Sequence, residues 1–385
     1  MGKVRVLHII KTLNLGGAET NLYNLVKAID PEKFEVHVAY SFGGEIEGRF
    51  RDGGVKLFKY ADGDHKIKSF VTFVIIFRLI NYILTNKIQI VHTHIFNAQI
   101  WGGIAAKITG RKIVEHVHDF RYLGIDEVKR RRGITNQYQY IKYFRNFSDA
   151  VVVLTKQNCD FLIQNKLYSP DRVYQIYNGI PVLVDAAPDE RTRLLLKAEF
   201  GLKNASSVIF IASRFVGPKN LDLITRIAPS VVKDIPDAVF VIAGDGILLD
   251  EFKSKCRELK LDSVIKVIGF QADIYKILSF SDIFLLPSFL ELHSIAILEA
   301  MSRKVPVVTS KDVGCNNEFI NDWENGVLLD PFIDKGWSEA IIRLLRDTPL
   351  RMRIGQKGYE TCRDIFDIKH AARKIEGLYA ELLDK

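Results

Sequence analysis

The run Lys3-Val-Arg-Val-Leu-His-Ile-Ile10 passes into the diglycine turn Asn14-Leu-Gly16-Gly17 and then a helical pattern through Leu22, Leu25, Val26 and Ile29. A buried strand, a glycine turn and a helix begin a βαβ unit, with ligands expected at the carboxyl end of the strand. The two glycines let backbone approach a ligand closely, although the turn is not the GxGxxG dinucleotide fingerprint. Further strands are expected over Phe34–Tyr40 by alternation, then over residues 55–60, 88–94, 112–118, 150–155 and 173–178. A second series opens at 208–212 and continues through Ala238–Ala243, 264–269, 282–287 and 305–308.

At 385 residues the chain is too long for one ordinary core and suits two domains. Residues 181–190, with Pro181, Pro188 and several small or acidic residues, read as the linker, giving domains over 1–183 and 184–365. Nearly half of the residues are apolar, the profile of a soluble globular protein, and the net charge of +8 favours anionic partners. The four cysteines, at 159, 256, 315 and 362, form no CxxC pair, which argues against a zinc or disulfide framework and suits a reducing cytosol. No signal peptide is visible, because 4–10 runs into Lys11-Thr-Leu-Asn rather than a cleavage site. The longest apolar stretch, 70–84, carries Arg78 and Asn81; it is too short and too polar to span a bilayer and reads as a core helix.

The richest stretch chemically is Ser288-Phe-Leu-Glu291-Leu-His-Ser-Ile-Ala-Ile-Leu-Glu299, which lies between two apolar runs and reads as loop and helix. With Ser294 as N-cap, Glu291 stands just before the helix and Glu299 in its second turn, about 12 Å apart or somewhat less. The free N–H groups of the helix start, at Ser294 and Ile295, are a seat for phosphate. Carboxylate, anion seat, carboxylate is a template for hexose, diphosphate and ribose. Taken alone, Ser288-x-x-Glu291 also fits a capping box, and Glu299 an ordinary surface glutamate. At the end of the 208–212 run, Arg214 and Lys219 share a glycine–proline turn and suit a diphosphate, arginine bidentately and lysine as a point charge.

Together these features resemble the retaining glycosyltransferases of family 4, whose signature is Glu-x7-Glu, and the resemblance runs almost end to end. It implies the GT-B fold: two doubly wound Rossmann-like α/β domains facing a central cleft, with a last helix, here 366–385, crossing back onto the first domain. It further implies that Gly16 and Gly17 face the donor phosphates and the acceptor, and that His118 addresses the donor sugar. Arg214 and Lys219 would bind the leaving diphosphate, Gly269 and Phe270 would hold the base largely through backbone, and Glu291 and Glu299 would hold sugar and ribose. The implied activity is retaining, metal-independent transfer from a nucleotide-diphosphate sugar to an acceptor hydroxyl on a glycan or lipid-linked intermediate, with no cofactor. A nucleotide-sugar epimerase or hydrolase on the same fold, and a non-catalytic sugar-nucleotide-binding protein, are the alternatives.

Several features sit beside that pattern. Leu292-His293-Ser294 fills a position where the family usually carries glycine, which restricts the loop and adds a polar group, and Lys304 stands where glycine is common. Asp62-Gly-Asp64 has the metal-binding spacing of a different glycosyltransferase fold, though two aspartates around a glycine mostly form a solvated turn, the reading expected here. His92 and His94 point the same way from a strand; with no third ligand near in sequence, a hydrogen-bonded pair is expected rather than zinc. His118 itself suits either a sugar hydroxyl or the bracing of its own loop. The basic, aromatic-rich segment around Lys129-Arg-Arg-Arg132 suits docking to an anionic membrane face, which would make the protein cytoplasmic and peripheral at the inner membrane. A solvated basic helix is the plain alternative. No nucleic-acid motif accompanies the patch.

Overall fold

The computed structural model describes residues 2–63, 70–118, 147–182, 189–202 and 205–384. Asp64, Asp119, the basic stretch 129–132 with its neighbouring aromatics, and residues 183–188 of the linker segment lie outside the described residues. The chain forms two compact units, Met1–Pro181 with Ile368–Lys385, and Val182–Asp367.

Unit 1 is a seven-stranded parallel sheet: β1 (Val4–Ile9), β2 (Phe34–Tyr40), β3 (Lys56–Lys59), β4 (Ile90–His94), β5 (Lys112–His116), β6 (Ala150–Val153) and β7 (Val173–Gln175). Its order, β3-β2-β1-β4-β5-β6-β7, reverses direction between β1 and β4. Helices α1 (Gly17–Ala28), α2 (Glu45–Asp52), α3 (Phe70–Thr85), α4 (Phe96–Ile108) and α5 (Lys156–Gln164) belong to the same unit. Strand periodicity sorts the side chains. Leu7, Ile9, Val91 and Ile113 pack with α3 and α4, whereas Val6, Ile90, Val114 and Val152 pack with the last helix of the chain, Ile368–Asp384. That helix docks through Ile368, Ala372, Ile375, Leu378, Tyr379 and Leu382, a 3.6-residue stripe.

One expectation needs correction. The 70–84 stretch is a helix, but it is not a core helix: only Ile75, Leu79 and Ile83 are buried, while Phe70, Phe73 and Phe77 are 81%, 73% and 71% exposed. The helix is covered on one side, by α4 and the sheet, and its apolar residues go all the way round, so the second apolar face is left in solvent.

Unit 2 repeats the plan with six parallel strands: β8 (Ser207–Ala212), β9 (Ala238–Ala243), β10 (Ile265–Gly269), β11 (Ile283–Leu286), β12 (Val307–Ser310) and β13 (Val327–Leu329). Their order is β10-β9-β8-β11-β12-β13, again reversing between the first strand and the fourth. Helices α6 (Glu190–Glu199), α7 (Asp222–Asp234), α8 (Leu249–Glu258), α9 (Tyr275–Leu278), α10 (Ile295–Ser302), α11 (Asn316–Phe319), α12 (Asp334–Arg346) and α13 (Thr348–Phe366) complete it. Local chemistry marks several starts: Asp189 accepts from Thr192 N and Asp347 from Leu350 N, satisfying free helix N–H groups. Gly244 and Gly246, at φ 149° and 153°, lie against the backbone of Ser213 and Phe215, so the loop after β9 touches the loop after β8 where no side chain fits.

Candidate active site

In unit 2 the strand order reverses between β8 and β11, and in open parallel sheets ligands bind at such a reversal, beyond the strands' carboxyl ends. The loop leaving β8 contains a 3-10 turn, Gly217–Lys219, closed by Asn220 in the left-handed region at φ 50°. Asn220 Nδ2 donates to the carbonyls of Pro287 (3.1 Å) and Pro331 (3.2 Å), and Phe289 N donates to Pro218 O at 2.8 Å. These bonds tie the loop after β8 to the loops after β11 and β13. Across the tie, the Lys219 ammonium donates to Oε1 of Glu291, and Ser288 Oγ donates to the same oxygen at 3.1 Å. Both charged side chains are largely enclosed. Arg214 stands exposed on the same turn, with no ion pair among the described residues.

The capping-box alternative for Ser288 and Glu291 is excluded. Their bond is side chain to side chain, and α10 begins only at Ile295, with Ser294 at its N-cap. Ser294 makes no side-chain cap bond, so its hydroxyl does not occupy the N–H groups of the first turn. Glu299 lies in the second turn. Desolvation first, and then the charge of Asp273, push its carboxyl up to about 8. Protein surrounds the carboxyl group even though the residue keeps some surface, and enclosure governs the ionisation. Nearby, β10 ends at Gly269 (φ 72°) with Phe270 47% exposed, and Gly269 O accepts from Gly244 N at 2.9 Å.

The loop at 292–293 behaves differently from its sequence reading. His293, read from sequence as adding a polar group to the loop, instead has its ring buried against Phe319 and Phe366, and burial lowers its pKa to about 3. Leu292 O accepts from Cys315 N at 2.9 Å. Gly314, at φ 57°, presses on the carbonyls of Glu291 and Leu292, so the close backbone approach is supplied by the neighbouring turn. Lys304 takes the left-handed conformation at φ 59°, the conformation that explains a glycine preference there, with its ammonium 5.2 Å from the Tyr359 ring centre.

In unit 1 the corresponding reversal lies between β1 and β4. Gly16 is the N-cap of α1, and a Cβ on it would meet Glu19 Oε2 at 2.5 Å, so the carboxylate folds back over the glycine. Asp62, 81% exposed, pairs with Lys59, as a solvated turn would.

Beside the reversal the sheet carries a set of histidines that sequence spacing hid. His92 and His94 have further histidines in reach: His8 from β1, His116 from β5 and His118 just past it. Thus the absence of a third partner near in sequence did not mean an absence in space. His8 Nδ1 lies 2.9 Å from His94 Nε2, and His94 Nδ1 lies 3.0 Å from His118 Nε2. Tyr379 Oη meets His92 Nδ1 at 2.6 Å and His8 Nε2 at 3.3 Å. His8, His92, His94 and His116 are fully or almost fully buried, and desolvation holds their pKa values well below 6.5, so they are neutral. The ligand nitrogens of His8, His92 and His94, and of His94, His116 and His118, lie within 4.8 Å of one another, close enough to consider a metal ion. His94 belongs to both groups and has each ring nitrogen bonded to another imidazole, so hydrogen bonding accounts for it without an ion. The only sequence signal for the set was the alternate spacing in His92-Thr-His94 and His116-Val-His118.

Two family models divide the chain: Glycosyltransferase Family 4 matches residues 15–182, and Glycosyl transferases group 1 matches 193–361. The chain is a GT-B glycosyltransferase. Among relatives of this glycosyltransferase, the Escherichia coli UDP-Gal:alpha-D-GlcNAc-diphosphoundecaprenol alpha-1,3-galactosyltransferase is 26% identical, covering 99% of this chain and 98% of its own. The Staphylococcus aureus capsular polysaccharide biosynthesis glycosyltransferase CapH is 25% identical, with 98% of both chains covered. Solved structures repeat the fold. Anabaena HepE in complex with UDP-glucose superposes with a TM-score of 0.84 at 18% identity, over 98% of this chain and 99% of HepE. WaaG, a glycosyltransferase involved in lipopolysaccharide biosynthesis, gives 0.74 at 17% identity, over 96% and 99%.

Proposed function

We propose that this glycosyltransferase moves a sugar, with retention of anomeric configuration and without a metal, from a nucleotide-diphosphate sugar to a hydroxyl of a glycan or lipid-linked acceptor in polysaccharide or glycolipid biosynthesis. The observation that carries the reading is the enclosed Lys219–Glu291 pair at the reversal of the unit 2 sheet, beside the start of α10. A carboxylate accepts hydrogen bonds from sugar hydroxyls, and the ammonium beside it is a fixed positive charge. As the sugar–phosphate bond lengthens, charge develops on the diphosphate; Lys219, Arg214 and the first-turn N–H groups of α10 meet it without reorganising, which is the work a metal would otherwise do. Glu291 holds the sugar, Glu299 the ribose, Gly269 and Phe270 the base, and His118, with Gly16 and Gly17, the sugar and acceptor side. The leaving phosphate takes the acceptor's proton on the face it departs from, so no protein nucleophile is required.

The donor class is supported by the Escherichia coli relative, whose name gives UDP-Gal as its donor, and by the UDP and UDP-glucose held in HepE. That relative's acceptor, a diphosphoundecaprenol-linked GlcNAc, supports a lipid-linked acceptor here. No described helix is long and apolar enough to cross a membrane, but the exposed phenylalanines of α3 and the net charge of +8 fit peripheral contact with an anionic bilayer. The test is the stereochemistry of the product. An α-configured donor should give an α-linked product, read by proton NMR couplings, with the rate unchanged in excess chelator. A β-linked product sinks retention, and loss of rate in chelator sinks metal independence.

A further inference from the structure

Four histidines of unit 1, three of them buried and His118 half-buried, form a continuous ribbon with Tyr379. It runs from His118 through His94 and His8 to Tyr379 and ends on His92. The ring pairs His94–His118 and His8–His94 lie 5.3 and 5.2 Å between centres at 23° between planes, the spacing of imidazoles bonded edge to edge. His92 and His116 form a second layer stacked on it, His92 at 4.7 Å from His8 and His116 at 4.1 Å from His118.

A neutral imidazole has one N–H and one lone pair, so each ring bonded at both nitrogens donates on one side and accepts on the other. The protons of the whole ribbon can therefore run in one direction or the other. If they run away from His118, the far end is an N–H on His92 Nε2. If they run toward it, that far end is a lone pair. His92 Nε2 is buried with no hydrogen-bond partner among the described residues. Orphaned buried N–H donors are rarer than under-satisfied acceptors, so the second direction is favoured. In it His92 donates to Tyr379 Oη, Tyr379 to His8 Nε2, His8 to His94 Nε2, and His94 to His118 Nε2.

We propose that this ribbon, anchored by Tyr379 from the last helix, fixes the tautomer of His118, with Nε2 accepting from His94 and the proton held on Nδ1. His94, His8, Tyr379 and His92 are then positioning residues, and His118 offers an N–H rather than a base from the nitrogen outside the ribbon. Its consequence for transfer rests on the assignment of His118 to the sugar side made above; the tautomer itself does not. The arrangement also gives Ile368–Asp384 a chemical as well as a packing role, since its hydroxyl joins histidines of two different strands.

Long-range proton–nitrogen NMR of the full chain labelled at histidine nitrogens reads the tautomers directly. The His118 signals, identified by their loss in His118→Ala, should show a protonated Nδ1 and an unprotonated Nε2. The opposite assignment overturns the proposal. Tyr379→Phe keeps the ring that packs in the core and removes only the hydroxyl; it should move the His118 nitrogens toward the average of two tautomers, and unchanged shifts overturn the anchoring. In the same variant kcat should fall on the order of tenfold, the scale on which outer hydrogen-bond partners act, with KM for the nucleotide-sugar little changed. In a His118→Ala background the same substitution should change kcat less than about twofold, the signature of coupled residues. An equal drop in both backgrounds makes Tyr379 merely structural and overturns the positioning role. Full activity of His118→Ala would instead remove His118 from the sugar side and leave the nitrogen shifts to decide the tautomer.

Discussion

Lys219 and Glu291, 72 residues apart in sequence, meet as an ion pair whose side chains are 16% and 12% exposed. Removing one partner of an enclosed pair leaves the other charge with no counterion. Glu291→Gln or Lys219→Met should therefore lower both the melting temperature and transfer, the latter by about a hundredfold or more if the group stabilises the departing diphosphate or holds the sugar. The double variant should regain much of the melting temperature and none of the activity. Melting curves beside a transfer assay separate the two effects; a double variant that regains both would remove the pair from catalysis.

Glu299 gives a pH dependence with a definite sign. Its carboxyl is pushed up to about 8 from 4.5, by desolvation and by Asp273. Because the folded state keeps a proton that the unfolded state has lost, this group's contribution to stability is full below 4.5 and is lost as pH rises to about 8. The buried neutral histidines act in the opposite sense below 6.5, so the readout is a difference: the denaturant midpoint of the native protein minus that of Glu299→Gln should decline from pH 4.5 to 8. Parallel curves would mean that Glu299 ionises normally.

The strands were legible because a buried parallel strand writes itself as a short apolar run, and β2 and β9 match their runs end to end. β13, three residues after Asn325-Gly326, is too short to leave a pattern and was not anticipated. The candidates Arg214, Lys219, Glu291 and Glu299 come from a motif, but the Lys219–Glu291 bond does not, since pairing depends on which loops share a sheet reversal. The same limit hid the histidine ribbon: Tyr379 and His8 are 371 residues apart, and no local spacing encodes their contact. His293 misleads for the opposite reason, because a polar residue in a loop can still turn inward when aromatic rings lie beneath it. In α3 the apolar pattern announced a helix correctly; it could not tell a helix covered on both sides from one covered on one.

That uncovered face predicts membrane contact. Phe73→Ser with Phe77→Ser should leave folding intact, because both side chains already lie in solvent, and should weaken sedimentation with phosphatidylglycerol vesicles. Neutralising residues 129–132 should also weaken it, and more so at low salt, where screening is least. Binding that is indifferent to all of these changes would remove the bilayer from the proposal.

Two glycines make opposite predictions from one substitution. At Gly314 a Cβ would lie 2.6 Å from Glu291 O and closer still to Leu292 O, and φ is 57°. Both objections are to backbone, so the loop that carries Glu291 must move to admit the methyl group. Gly314→Ala should destabilise the protein by about 2 kcal/mol or more and lower transfer beyond what the fraction unfolded explains. Gly377, exposed within Ile368–Asp384, has nothing within 4 Å of its Cβ position. There the only change is helix propensity, so Gly377→Ala should stabilise by about 1 kcal/mol and leave transfer unaltered. Denaturant titrations with activity at a fixed folded fraction distinguish these outcomes. A Gly314→Ala enzyme of native activity would show that the turn after β12 does not hold the Glu291 loop in place.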